Sequence, residues 1–270
     1  DVVVTKEMPV DGDTIARFPD SVQLICEAGT GYNNIDIEAA RARGITVCNI
    51  PAYSTERVAH TAIMMILNLS SSMQIQQAML ARGDRSNFTK CMQVSHVEVN
   101  GKVLGIVGAG NIGREVIKVA QALGMKVLAY TRTPRADEDN LKYVSLEELL
   151  KQSDYISLHC PLTPQTRHMI NKETIAMMKP TAYIINTGRG ALIDEPALIE
   201  ALKEGRIAGA GLDVQETEPP VQNNPLYDMP NVILTPHMGW KGLETRQRLV
   251  SILAANIQAF DEGRPQNVVS

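Results

Sequence analysis

Aromatic side chains are scarce in this chain of 270 residues: one Trp, three Phe and seven Tyr, 4% in all. That leaves little material for stacking nucleic-acid bases. A basic excess is missing too. Lys and Arg number 26 against 30 Asp and Glu, for a net charge of −4, which argues against a dedicated nucleic-acid binder. Cysteine is sparse: Cys26, Cys48, Cys91 and Cys160 lie 22, 43 and 69 positions apart. No pair has metal-ligand or redox spacing, and the density is too low for a disulfide framework. Reduced thiols in a cytoplasmic protein without a metal are the expectation. The longest apolar run, Ala62 to Leu67, is far short of a membrane span. The chain opens at Asp1 directly into Val2-Val3-Val4, which reads as a strand with an upstream segment left out.

What is present looks globular, with 44% hydrophobic and 21% charged residues, and its length suggests two domains. Short apolar runs alternate with helical patterns, which predicts an α/β protein with parallel sheets. The first region offers strands at Val2–Thr5, Val22–Glu27 and Thr46–Asn49, with a helix over Asp36–Arg43 closed by Gly44. From Glu56 to about Ala81 one helical stretch is expected, apolar on nearly every face in its first half. It reads first as a core helix and nearly as well as a subunit interface, which periodicity does not separate. The second region predicts strands at Val103–Val107, Lys126–Tyr130, Tyr155–His159, Tyr183–Asn186, Gly209–Val214 and Val232–Thr235. Helices are expected at Ile112–Leu123, Ser145–Gln152, Lys172–Met178 and Glu195–Glu204, then at Leu243–Phe260. Ser145 and Glu148 have capping-box spacing.

Gly108-Ala-Gly110-Asn-Ile-Gly113 follows a predicted strand and opens a helix. In such a turn Gly108 permits the sharp bend and Gly110 lets a pyrophosphate approach the backbone. Gly113 allows helix and sheet to pack closely, and the helix N-terminus attracts phosphate charge. An acid some twenty residues on would bind the ribose 2′-hydroxyl of NAD. Here that strand end carries Thr131 and Arg132, with Arg135 beyond, while Asp137, Glu138 and Asp139 fall in a later loop. Arginine pairs well with phosphate, so NADP(H) is preferred, with NAD(H) as the alternative.

Three further strand ends carry Arg189, Glu218 and His237. An Arg fork binds a carboxylate bidentately, a protonated His donates to a developing alkoxide, and a Glu beside that His stabilises its protonated form. Together they suit reversible reduction of a 2-keto acid.

Gly108–Gly113, Asn186-Thr-Gly-Arg-Gly190, Gly211-Leu-Asp-Val214 with Glu218-Pro219, and Thr235-Pro-His237 resemble the D-isomer-specific 2-hydroxyacid dehydrogenases. Gly29-Thr-Gly-Tyr-Asn-Asn-Ile-Asp36 and Tyr53–Ala59 match the same family. His237-Met-Gly-Trp240 and Glu244–Leu249 resemble its glycerate dehydrogenases, also called hydroxypyruvate or glyoxylate reductases. The resemblance implies two Rossmann-like, doubly wound parallel-sheet domains with the active site in the cleft between them. Residues 56–241 would bind the dinucleotide. Residues 1–55 and 242–270 would form a discontinuous substrate domain, lacking the family's first strand–helix segment.

It further implies Arg189 as carboxylate anchor, His237 as proton donor and acceptor, and Glu218 as its partner. Ala28, Gly29, Thr30 and Gly31 would meet the substrate carboxylate. Asn111 and Ile112 would lie at the pyrophosphate, Cys160, Pro161 and Thr166 along the adenosine, and Thr187 and Asp213 near the nicotinamide. A homodimer using the helix after Glu56 is implied as well. The expected reaction is reduction of hydroxypyruvate or glyoxylate to D-glycerate or glycolate. Alternatives are another member of the family, acting on D-lactate or phosphoglycerate, and a nicotinamide-sensing corepressor that binds the cofactor without turning it over. Formate oxidation has no use for the Glu218–His237 pair, and a methyltransferase none for the trio.

Overall fold

The structure is a computed structural model that describes residues 1–6, 8–133 and 135–270; Pro134, beside Thr133 in the loop after the second strand of the fingerprint, lies outside them. In chain order its elements are β1 (Val2–Thr5), α1 (Gly12–Ala16), β2 (Leu24–Glu27), α2 (Ile37–Ala42), β3 (Thr46–Cys48), α3 (Thr55–Ser70), α4 (Met73–Ala81) and α5 (Ser86–Thr89). They continue with β4 (Val103–Val107), α6 (Asn111–Ala122), β5 (Lys126–Tyr130), β6 (Leu141–Tyr143), α7 (Leu146–Gln152), β7 (Tyr155–Leu158), α8 (Lys172–Ile175) and β8 (Tyr183–Asn186). The last are α9 (Glu195–Lys203), β9 (Gly209–Leu212), β10 (Val232–Leu234) and α10 (Leu243–Asp261). The chain divides into two compact units, one of residues 1–54 with 240–270, the other of residues 55–239.

In the larger unit seven parallel strands run in the order β10-β9-β8-β7-β4-β5-β6. Strand order reverses between β4 and β7, so a switch point lies beside the carboxyl end of β4, where ligands bind in sheets of this kind. Both faces are covered. Val116, Ile117 and Ala120 of α6 pack with Ala62, Met65 and Ile66 of α3 on one face. Leu149, Leu150, Leu198 and Leu202 close the other. Each such side chain contributes roughly 1.5–3 kcal/mol when fully buried.

Helix α3 is a core helix, with nine residues buried within this chain. The single helix expected from Glu56 to Ala81 is broken at Ser71–Ser72. Ser72 takes a left-handed φ of +46°, and its hydroxyl donates to the carbonyl of Ser95 at 2.7 Å. Ser70 hydrogen-bonds back to Leu67 at 2.9 Å. Serine side chains compete here with the helical ladder, as they do wherever they reach a nearby carbonyl. At α7 the Ser145 hydroxyl accepts from the Glu148 amide at 3.1 Å, whereas the Glu148 carboxylate is engaged by Gln152 at 2.9 Å. That makes a serine cap worth about 1 kcal/mol.

In the smaller unit three parallel strands run β1-β2-β3. Their side chains alternate between faces. Ile25 and Val47 point towards Ile15 and Ala40, whereas Leu24, Cys26 and Cys48 meet Leu253, Ile257 and Phe260 of α10. Cys26 and Cys48 sit directly opposite each other in the register. Burial pushes the Cys26 thiol up to about 12, with Cys48 adding to the effect. It raises the Cys48 thiol too, and the Cys160 thiol to about 11. Only Cys91 is exposed.

Candidate active site

The turn after β4 is built as a phosphate cradle. Gly108 has φ +100°, and a Cβ there would lie 2.6 Å from the backbone nitrogen of Cys160, across the switch point. A Cβ on Gly113 would lie 2.1 Å from the Gly108 carbonyl oxygen, so both glycines are required by the chain's own packing. Gly110 differs. Its φ of −80° is open to any residue, and an added Cβ would meet no atom within 4 Å. Neither conformation nor packing among the described residues requires a glycine there, and the backbone is left open to an approaching group. Gly110 also caps α6 without a side chain, and Asn111 and Ile112 form the first turn, whose N–H groups and dipole favour an anion.

At the end of β5 the Thr131 hydroxyl donates to the Thr133 carbonyl at 2.7 Å, and Arg132 is exposed. Two of the later acids are occupied elsewhere. Asp137 accepts from the Tyr143 amide at 2.8 Å, and Glu138 pairs with Arg114 at 3.1 Å. These contacts hold β6, a strand too short to stand out in the sequence. Beyond β7, the Thr166 hydroxyl accepts from the Thr163 amide and donates to the Pro161 carbonyl, both at 2.8 Å, so the Cys160–Thr166 loop closes on itself. His159 beside it bonds Ser157 at 2.8 Å, and burial pulls its imidazole down to about 4. At the end of β8, Thr187 is buried and its hydroxyl has no hydrogen-bond partner among the described residues. A lone buried hydroxyl is costly. With Gly110 it shows that these residues fit an extended polar ligand such as a dinucleotide.

Arg189, Glu218 and His237 come together on this same unit. The buried Asn186 side chain donates to the Arg189 carbonyl at 2.9 Å and accepts from the Gly188 amide at 3.0 Å, which folds the turn after β8. A Cβ on Gly190 would lie 1.9 Å from the Gln215 carbonyl oxygen. Only glycine therefore lets the Arg189 turn lie against the segment that leads to Glu218. The Glu218 carboxylate accepts from the Gln215 amide at 3.1 Å and meets His237 Nδ1 at 2.7 Å. Burial pushes the Glu218 carboxyl up. The hydrogen bond and charge of His237, the Gln215 amide and the Arg189 charge together outweigh it, leaving it below its ordinary value.

His237 adopts a left-handed φ of +47°, which costs a residue with a Cβ roughly 1 kcal/mol or more. Asp213 holds it there. This buried carboxylate accepts from the Thr235 hydroxyl at 2.5 Å, the Met238 amide at 2.8 Å and the Gly239 amide at 2.7 Å. Asp213, expected beside the nicotinamide, thus also ties down both ends of the His237 turn. Its strand-end position drew attention in the sequence; its loop-binding role depends on a turn that no pattern announces.

Ala28, Gly29, Thr30 and Gly31 lie on the smaller unit, after β2. The loop is held by Thr30, whose hydroxyl donates to the Ile50 carbonyl and whose carbonyl accepts from Asn49, both at 2.8 Å. Beneath it the fully buried Glu27 accepts from Asn34 at 2.9 Å. Among the described residues no group of His, Cys, Asp and Glu could hold a metal ion, and no helix is long and apolar enough to cross a membrane.

Residues 63–239 match the family described as D-isomer specific 2-hydroxyacid dehydrogenase, NAD binding domain. A hydroxypyruvate reductase of Blautia hydrogenotrophica is 42% identical over 274 aligned positions, covering all of this chain and 85% of that protein. A glyoxylate reductase of Thermococcus litoralis is 42% identical, over 97% of this chain and 80% of its own length. Among solved structures, an NADPH-dependent glyoxylate/hydroxypyruvate reductase from Sinorhizobium meliloti, in complex with NADP and malonate, superposes with a TM-score of 0.90. It is 31% identical, over all of this chain and 84% of that one.

Proposed function

Because this chain belongs to the D-isomer-specific 2-hydroxyacid dehydrogenases, oxidoreductases that act on CH–OH donors, we propose that it reduces hydroxypyruvate or glyoxylate with NADPH. The products are D-glycerate or glycolate. The observation that carries this reading is the 2.7 Å bond between His237 Nδ1 and Glu218, with Arg189 beside it. A bound nicotinamide supplies the hydride. Arg189 anchors the substrate carboxylate and turns the adjacent carbonyl towards His237. With Nδ1 committed to Glu218, His237 Nε2 is the nitrogen we assign to the substrate oxygen, where it gives up a proton as the alkoxide forms. Glu218 offsets the imidazolium charge before transfer and fixes the ring's orientation. In the oxidative direction the same nitrogen takes the proton back.

The Ala28–Gly31 loop is assigned to the substrate carboxylate, and Cys160, Pro161 and Thr166 to the adenosine side. Thr131 and Arg132 are assigned to a 2′-phosphate, which the lack of a carboxylate after β5 supports. The reading extends to a cytoplasmic homodimer, supported by the exposed apolar side chains Met73, Leu80, Phe88 and Met92. The test is nicotinamide absorbance decay on purified protein, with NADPH and NADH each offered hydroxypyruvate, glyoxylate, pyruvate and 2-oxoglutarate. Fast NADPH oxidation with the first two is expected. Cofactor binding without turnover on any of the four refutes the reading and favours a sensor.

A further inference from the structure

Behind the acid–base pair lies a polar node that the mechanism above does not use. Glu216 Oε1 accepts from His168 Nε2 at 2.6 Å and from Arg167 at 3.1 Å. Its amide donates to the Glu195 carboxylate at 3.1 Å, and the Glu195 amide points back to Glu216 Oε2 at 3.4 Å. Asn224 donates to Glu195 at 2.8 Å and to the Gln215 side chain at 3.1 Å. Three stretches distant in sequence therefore meet at one carboxylate: the end of the Cys160–Thr166 loop, the start of α9 just beyond the Arg189 turn, and the segment leading to Glu218. His168 has φ +50°, and its amide bonds the Ala191 carbonyl at 2.9 Å, so the backbone is bent to present the imidazole to Glu216.

We propose that Glu216, clasped by His168, is a positioning residue that holds the Gln215–Glu218 segment against the Arg189 turn and so sets the distance between Glu218 and His237. The coupling is short-ranged. Gln215, next to Glu216, gives its amide to Glu218, and its carbonyl is the atom against which Gly190 packs. Freed of the Glu216 carboxylate, the segment keeps the Gly190 contact, the Asn224 bond and the bond of its own amide to Glu195, but loses its ties to His168 and Arg167. A displacement of about 1 Å at a reacting pair can cost a hundredfold in rate. The Cys160–Thr166 loop is closed by its own Thr166 bonds and does not depend on this clasp, so cofactor affinity should be nearly indifferent to it.

The inference rests on the dehydrogenase reading, and two readouts separate their failures. One is turnover: kcat and KM for glyoxylate and hydroxypyruvate, with the NADPH Kd from nicotinamide fluorescence. The other needs no activity: the downfield imidazole N–H resonance of His237 in protein labelled with ¹⁵N-histidine, identified by its loss in His237→Ala. Glu216→Ala should lower kcat about ten- to a hundredfold, leave the NADPH Kd nearly unchanged, and move or broaden the His237 resonance. Glu216→Gln, which keeps an acceptor for His168, should restore most of both. His168→Asn tolerates the left-handed backbone but falls short of Glu216, and should repeat the Glu216→Ala pattern more mildly; it decides the matter should Glu216→Ala not fold. Unchanged kcat and resonance in both variants, with only a lower Tm, overturn the proposal. If the wild-type protein turns over no 2-keto acid, the dehydrogenase reading falls and the resonance alone decides the positioning role.

Discussion

Replacing Glu218 by Gln isolates one quantity, the effect of a negative charge on the proton held by His237. The amide keeps the shape and an acceptor oxygen at 2.7 Å from Nδ1, so what is lost is the charge-assisted part of the bond. Hydrogen bonds to charged groups contribute about 1.5–3 kcal/mol and neutral ones about 0.5–1.5. The difference, about 1–1.5 kcal/mol, corresponds to about tenfold in rate at 1.36 kcal/mol per factor of ten. The charged bond holds the His237 ring in the orientation that presents Nε2 to the substrate oxygen, so kcat/KM for glyoxylate reduction should fall about tenfold in Glu218→Gln. The assay is steady-state glyoxylate reduction at saturating NADPH and neutral pH.

Wild-type Glu218 also shapes the pH dependence of stability. Its carboxyl is held below the ordinary 4.5, so its contribution to folding is fully present above that value and fades as pH falls through the lowered one. Glu218→Gln should therefore lower Tm at neutral pH and flatten its acid dependence. An unchanged kcat/KM in Glu218→Gln refutes the role assigned to the pair.

Arg132→Ala should weaken NADPH about ten- to a hundredfold, the value of one charge-assisted contact, and leave NADH nearly untouched; fluorescence titration with both cofactors reads this directly, and equal losses refute it. Gly110→Ala should keep the wild-type Tm while weakening both cofactors, because its new methyl group meets ligand and not protein. Gly113→Ala, aimed at the Gly108 carbonyl from 2.1 Å, should lower stability by roughly 1–3 kcal/mol or more, read from urea denaturation. Asp213→Ala leaves three donors of the His237 turn without their acceptor and should cost both stability and kcat, with NADPH affinity the least affected. A variant that loses NADPH binding while kcat at saturation is preserved contradicts that order.

Legibility followed sequence range. Strands such as Val103–Val107 and Lys126–Tyr130 stood out because buried parallel strands are continuous apolar runs, α2 because Gly44 closes it and α9 because Asp194 opens it; the structure adds Asp36 as the cap of α2. The short helices α1 and α5 and strand β6 carry too few residues for a period to show. The Glu56–Ala81 reading failed at Ser72, where three consecutive serines look helix-tolerant until a hydroxyl finds Ser95. The trio could be picked out because each member ends a strand. What joins them could not: Gly190 against Gln215, Asp213 across the His237 turn and Glu216 to His168 all depend on loops whose paths no local pattern encodes.

The unequal burial of the four thiols has a practical consequence for spectroscopy. An alkylating probe attacks through the thiolate, and Cys26, Cys48 and Cys160 are each held away from it by burial. Cys91, the exposed thiol just beyond α5, is therefore expected to react first. A maleimide dye or spin label can be placed there without mutagenesis, at a residue outside the proposed chemistry, to follow association in solution.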